Sequence, residues 1–234
     1  MSTEDTTSRN YEFSELDKEQ SWHIFRIMGE LVNGFDKLAG IGPAVTMYGS
    51  AQPEAAQKYY GKAEQIAYLL GKLGFTIITG GGPGIMEAAN KGASEAGSIS
   101  IGLNIELPKE QKCNDYSTKT ITFNHFFARK VMLVKYATAF IIMPGGLGTL
   151  DELTEVLVLI QTYKIKPFPV ILYGSSYWGG FLDWLQGSVL EGGFISRDDV
   201  DKLIISDDPQ EIVNIIQSWY IKHSLVGKRA VNNT

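Results

Sequence analysis

The chain has 234 residues, 44% of them hydrophobic, which is enough to bury one large core within a single α/β domain. A formal net charge of −5 and a sequence pI near 5.3 leave no basic excess for neutralising a nucleic-acid backbone. The single cysteine, Cys113, excludes an internal disulfide and a cysteine zinc site. The first twenty residues carry Glu4, Asp5, Glu12, Glu15 and Asp17 without an apolar signal core, and no apolar run is long enough to cross a bilayer. A cytoplasmic, soluble protein with no membrane partner is expected.

Residues 1–18 are polar and read as a flexible arm, 19–222 as one domain, and 223–234 as a flexible polar tail. Trp22, Phe25, Met28, Leu31, Val32, Phe35 and Leu38 recur at helical spacing and predict an amphipathic helix ahead of the first strand. Ala44 to Tyr48 is a short apolar strand ending at Gly49-Ser50-Ala51. Glu54 to Leu73 is helical and Phe75 to Thr79 is the second strand. It runs into Gly80-Gly81-Gly82-Pro83-Gly84 and the helix beginning Ile85-Met86-Glu87. Ser98 to Ile105 and Thr120 to Phe123 are further strands, separated by a polar loop that holds Cys113. Phe126 to Ala137 is helical and carries Arg129 and Lys130.

Ala139 to Met143 is a buried strand. The stretch Pro144-Gly145-Gly146-Leu147-Gly148-Thr149-Leu150-Asp151-Glu152 then opens a helix that continues to Thr162. Pro169 to Tyr173 and Leu203 to Ile205 are later strands, with helices around Trp178 to Leu190 and from Pro209 to Ile221. Strand and helix alternate throughout, which predicts a Rossmann-like, doubly wound parallel sheet with flanking helices and a site beyond the carboxyl ends of its strands.

Both glycine turns lie between a strand and a helix, where a close backbone approach and free helical N–H groups suit a phosphate. Neither is a dinucleotide fingerprint: G-x-G-x-x-G read from Gly80 meets Ile85, and read from Gly82 meets Glu87. No G-x-x-x-x-G-K-[ST] occurs. Thr149-x-x-Glu152 has the spacing of a capping box, which would make Glu152 structural. A carboxylate at a helix N-terminus should stay ionised, suited to stabilising a cation or orienting water. Arg129 is either a solvated helix residue or, brought to the carboxyl end of the sheet, a partner for carboxylate or phosphate. The histidines, His23, His125 and His223, are dispersed, so no three-histidine metal site is expected; His125 could touch a ligand or only pack.

Together, Gly80-Gly81-Gly82-Pro83-Gly84-Ile85-Met86-Glu87-Ala88, Arg129-Lys130 and Pro144-Gly145-Gly146-x-Gly148-Thr149-x-x-Glu152 resemble the Lonely Guy (LOG) family of nucleoside 5′-monophosphate phosphoribohydrolases. Tyr48-Gly49-Ser50-Ala51, Ser100 to Ile105 and Asp151-Glu152-Leu153 resemble its longer, type II members. The resemblance implies cleavage of the N-glycosidic bond of adenine-type 5′-nucleotides, including N6-prenylated ones, by water, with no metal and no cofactor. It implies Arg129 and Glu152 as the catalytic pair, and Gly145, Gly146, Gly148 and Thr149 as the phosphate site. Gly82, Met86, Glu87, Ser50 and Lys130 are implied to line the rest of the nucleotide site. Gln52 stands where the family has arginine and His125 where an aromatic residue is common, both of which bear on substrate preference. A homodimer or higher homo-oligomer is implied, a hexamer among them.

Two other functions fit the same residues less well. A lysine decarboxylase, a label the family has often carried, would need a pyridoxal phosphate lysine, and no histidine here precedes a lysine. A non-catalytic nucleotide or cofactor carrier of this fold would bind without releasing ribose 5-phosphate.

Overall fold

The computed structural model describes residues 20–107 and 113–231; the arm expected over 1–18 lies outside them. Seven parallel strands form one sheet in the order β4-β3-β2-β1-β5-β6-β7. In chain order they are β1 (Ala44–Tyr48), β2 (Thr76–Thr79), β3 (Ser100–Ile105), β4 (Lys119–Phe123), β5 (Ala137–Ile142), β6 (Val170–Tyr173) and β7 (Leu203–Ser206). Between and around them run α1 (Gln20–Leu38), α2 (Pro53–Lys72), α3 (Ile85–Glu95), α4 (Phe126–Lys135), α5 (Leu147–Gln161), α6 (Ser175–Trp184), α7 (Arg197–Asp201) and α8 (Pro209–Val231). This is the doubly wound sheet that the alternation predicts. β1, β5 and β6 are buried on both faces, as near-continuous apolar runs require.

Successive side chains of a strand point to opposite faces. Val45 and Met47 therefore meet α2, α3 and α8, while Ala44 and Tyr48 meet α1, α4, α5 and α6. α2 and α3 pack through small residues, Ala56, Ala63 and Ala67 against Ala88, Ala89 and Ala93. Gly92 sits where their backbones meet: a Cβ there would lie 2.1 Å from the Glu64 carbonyl oxygen and 3.0 Å from the Tyr68 nitrogen. Neither obstacle is a side-chain tip that could swing away. Gly92→Ala is expected to cost about 3 kcal/mol by overpacking, a fall in Tm of roughly 6–12 °C for a chain of this size. Gly61→Ala, on the open side of α2 with nothing within 4 Å, is the control and should raise stability by about 0.5–1 kcal/mol.

Three elements differ from the sequence expectation. α8 continues to Val231, past Ile221 and through most of the expected tail. α6 runs into a π-helical stretch, Leu185–Leu190, and α7 was not foreseen. α7 does carry a local signal: Ser196 accepts from Asp199 N, and Asp199 reaches back to Ser196 N at 2.9 Å, a true capping box. The apolar stripe of α1 also departs from expectation. Leu31 and Leu38 pack on the core, but Trp22, Phe25 and Val32 remain 70%, 63% and 64% exposed.

Candidate active site

The order of the strands reverses between β1 and β5, so the loops leaving these two strands diverge and leave a crevice. A cavity of about 330 Å³ opens there, lined by residues of the loops after β1, β2, β3 and β5 and by α4. The loops brace one another. Ser50 N donates to the Pro144 carbonyl at 3.0 Å, and Ile85 N donates to the Ser50 carbonyl at the same distance. Gly145 must be glycine, because a Cβ would stand 2.1 Å from Thr149 Oγ1 and 2.9 Å from Ser50 N.

The two glycine turns are not equivalent. No side chain caps α5 at Gly146, and within its first turn Thr149 N bends back to the Gly146 carbonyl at 3.0 Å. At the other turn Ile85 N is taken by Ser50, and Gly81 N donates to Thr79 Oγ1 at 2.9 Å. Gly80 to Gly84 thus braces the loop after β1, while α3, like α5, starts without a side-chain cap. Gly84 is needed there for close approach: its φ is +70° and a Cβ would lie 2.5 Å from the Ser50 carbonyl oxygen. Behind it, buried Asn90 accepts from Thr79 Oγ1 at 2.6 Å and donates to Ser100 Oγ at 2.8 Å. Asn114 then joins the loop before β4 to the Gly82 carbonyl at 3.0 Å.

α4 carries Arg129 into the crevice from one side and α5 carries Glu152 from the other. Arg129 Nη2 lies 3.8 Å from Glu152 Oε1, with both side chains largely buried. That separation makes an ion pair and no hydrogen bond. Arg129 Nε and Glu152 Oε2 are buried and have no partner among the described residues. The Phe126 ring lies 5.2 Å from the guanidinium carbon. Burial pushes the Glu152 carboxyl up to about 7, and the charges of Arg129 and then Lys130 only partly oppose it. Burial likewise lowers Arg129, against the pull of Glu152.

Two expectations are corrected here. Thr149 is not an N-cap: α5 starts at Leu147, which places Thr149 in the first turn and Glu152 in the second, beyond reach of a capping box. Nor does the helix end keep Glu152 firmly ionised, because desolvation outweighs it and the group titrates near neutrality.

Of the residues implied for the site, Ser50, Met86, Arg129, Gly146, Gly148, Thr149 and Glu152 line the cavity together. Gly145 and Gly82 lie behind its wall. Glu87 points at α2, where it accepts from Tyr60 Oη at 2.9 Å. Lys130 faces away and bridges Asp151 and Glu155 at 3.0 and 3.2 Å. His125 belongs to another place: it pairs with Glu30 at 3.1 Å and meets the His23 ring at 5.0 Å. Glu30 also accepts from Asn124 N and His125 N, closing the amino end of α4. Tyr48, Ile105, Leu107 and Phe126 line the cavity although they were not singled out for the site; Tyr48 and Ile105 lie in stretches that carry the family resemblance, whereas Leu107 and Phe126 had no such signal.

Among the described residues no lysine lines the cavity and no cluster of metal-binding side chains occurs. No helix among them is long and apolar enough to cross a membrane. Fold and crevice together define a Rossmann-like α/β protein with a helix N-terminus and a buried arginine–glutamate pair at the switch point of its sheet. The chain belongs to the Lonely Guy family of cytokinin riboside 5′-monophosphate phosphoribohydrolases; the family's sequence model, described as "possible lysine decarboxylase", matches residues 86–216.

The cytokinin riboside 5′-monophosphate phosphoribohydrolase of Mycobacterium tuberculosis is 28% identical over 171 residues, which cover 71% of this chain and 89% of that one. The rice enzyme LOG is 29% identical over 176 residues, covering 73% and 71%. Among solved structures, the molybdenum cofactor carrier protein of Chlamydomonas reinhardtii superposes with a TM-score of 0.55 at 22% identity, covering 77% and 98%, a likeness of fold.

Proposed function

We propose that this chain hydrolyses the N-glycosidic bond of adenine-type nucleoside 5′-monophosphates, N6-modified ones included, to free base and ribose 5-phosphate. The observation that carries this is the Arg129–Glu152 pair, buried on the wall of a cavity that opens onto the uncapped N-terminus of α5. The enzymes of Mycobacterium tuberculosis and rice, whose names state this chemistry, support it.

The phosphate sits on the backbone N–H groups of Gly146 and Gly148, with the Thr149 hydroxyl beside it. Fixing that end orients the sugar, and binding energy remote from the reacting carbon is turned to catalysis. As the C1′–N bond breaks, ribose gains oxocarbenium character, which an ionised Glu152 stabilises. Water adds its oxygen to C1′ and gives a proton to Glu152, which passes it to the departing base. A carboxylate that titrates near 7 can both accept and return a proton at neutral pH. Arg129 keeps part of the Glu152 population ionised and adds a cation for the phosphate. Ile105, Leu107, Phe126 and Met86 supply an apolar wall for the base. This catalytic unit is one domain, residues 19–222, in the cytoplasm.

The test is a panel of nucleoside 5′-monophosphates, with and without N6-prenyl groups, assayed for ribose 5-phosphate. Release from the adenine nucleotides is expected; tight binding with no release from any of them would make the chain a carrier.

The protein is also proposed to self-associate through α1 and α4. Trp22, Phe25, Met28 and Val32 of α1 and Phe126, Phe127 and Val131 of α4 are exposed apolar residues on two helices packed side by side. Apolar surface so concentrated marks an interface, and most homo-oligomers close by two-fold symmetry. Phe126 also lines the cavity, so the interface would border the site. Val32→Glu should convert the parent oligomer to monomer in sedimentation velocity at micromolar concentration. A monomeric parent would sink the proposal.

A further inference from the structure

Tyr48 ends β1 and lines the same cavity as Arg129 and Glu152. Its ring is 5% exposed and stacks on Phe140, with planes 4° apart and centroids separated by 6.4 Å. Phenylalanine would pack as well. The hydroxyl is buried without a hydrogen-bond partner among the described residues, which costs stability unless something uses it. Glu152 Oε2 is in the same condition: buried, and without a donor.

The titratable groups within electrostatic reach of Glu152 are Arg129 and Lys130 from α4, Asp151 and Glu155 from α5, and Tyr48 from β1. Lys130 is held by Asp151 and Glu155. Arg129 directs Nη2 toward the other carboxylate oxygen. Among the described residues, the buried donors left unpartnered on this cavity's lining are therefore the Tyr48 O–H and the Arg129 Nε–H. Burial, then the charges of Glu152 and Glu155, push the phenol well above its ordinary range, so it keeps its proton and can only donate toward a carboxylate.

We propose that Tyr48 is a positioning residue for Glu152: its phenolic O–H donates to Oε2 of the ionised carboxylate and fixes its orientation toward the reacting carbon. The inference rests on the reading of Glu152 given above. A hydrogen bond to the charged form of an acid favours that form, so Tyr48 opposes burial in setting where Glu152 titrates. The unpartnered hydroxyl is the cost in stability of having that donor in place.

Tyr48→Phe tests this, because the ring and its stacking are kept. Glu152 is followed by carbon NMR on protein labelled at glutamate side-chain carboxyls, its signal assigned by its loss in Glu152→Gln. In Tyr48→Phe its titration should move up by about one pH unit. The acidic limb of kcat/KM should move with it, and kcat below neutrality should fall about tenfold with KM within about twofold. Tm should be unchanged or higher, since a buried unpartnered hydroxyl is gone. A Glu152 titration that superimposes on the parent overturns the proposal, whatever the activity or Tm. A parent that releases no ribose 5-phosphate, together with a shifted titration in the variant, keeps Tyr48 as the positioning residue and removes the hydrolase function instead.

Discussion

Glu152→Gln is expected to lower kcat by about 10³ while making the free protein more stable at pH 8. The loss follows from removing the buried carboxylate of the cavity wall, paired with Arg129, that is proposed to meet both the oxocarbenium and the attacking water. The gain in stability has a definite sign. The carboxyl is raised from 4.5 to about 7 by folding, so the folded state binds the proton that the unfolded state has lost. Stability from this group is therefore greatest below about pH 4.5, declines as the pH climbs toward 7, and stays low above it. Glutamine never ionises and escapes that decline, which is worth on the order of 2 kcal/mol at pH 8. At pH 5 the two proteins should melt together. Thermal melts at pH 5 and 8, beside single-turnover assays with AMP, give both numbers; a variant as active as the parent would remove Glu152 from the chemistry.

Arg129→Met should cost about 10²-fold or more in kcat/KM and leave the opposite signature in stability. Without the guanidinium, Lys130, at a distance and already paired, and the Tyr48 hydroxyl are left to offset the burial of Glu152. The carboxyl then titrates higher still, and the acidic limb of the pH–rate profile moves up. Leaving one partner of a buried pair alone costs about 3–5 kcal/mol when that partner must stay charged. Glu152 can instead take a proton, so the loss should be small at pH 5 and grow toward pH 8. Equal destabilisation at both pH values would show that Arg129 supports the fold by packing alone.

The alternation of strand and helix was legible because each strand is a short apolar or alternating run that ends in glycine, proline or polar residues, so every strand lies within two residues of its expected place. The uncapped glycine turn before α5 was legible for the same local reasons. What could not be read depends on contacts distant in sequence. Thr149 and Glu152 have the spacing of a capping box, but the chain is already helical at Leu147, and burial rather than the helix end governs the carboxyl. The second glycine turn reads like the first until Ser50 is seen to occupy the amide of Ile85. His125 adjoins the Arg129 helix in sequence and yet turns toward Glu30 on α1. The stripe of α1 predicts its helix, but periodicity states that a face wants covering and not what covers it, and much of that face is exposed here.

The position of β1 has a consequence for how the protein is made. β1 is the first strand to be synthesised, yet it lies in the middle of the sheet, between β2 and β5. While residues 49–136 emerge, β1 to β4 can pair among themselves, but the other edge of β1 stays open, an apolar edge of the kind that recruits foreign strands. Parallel strands have no hairpin shortcut, so that edge closes only when Ala137–Ile142 arrives. The same event brings Pro144 to Ser50. The crevice is thus completed by the step that ends the chain's period of greatest exposure to misassembly, and a nascent chain arrested before β5 should depend on chaperones where a slightly longer one does not.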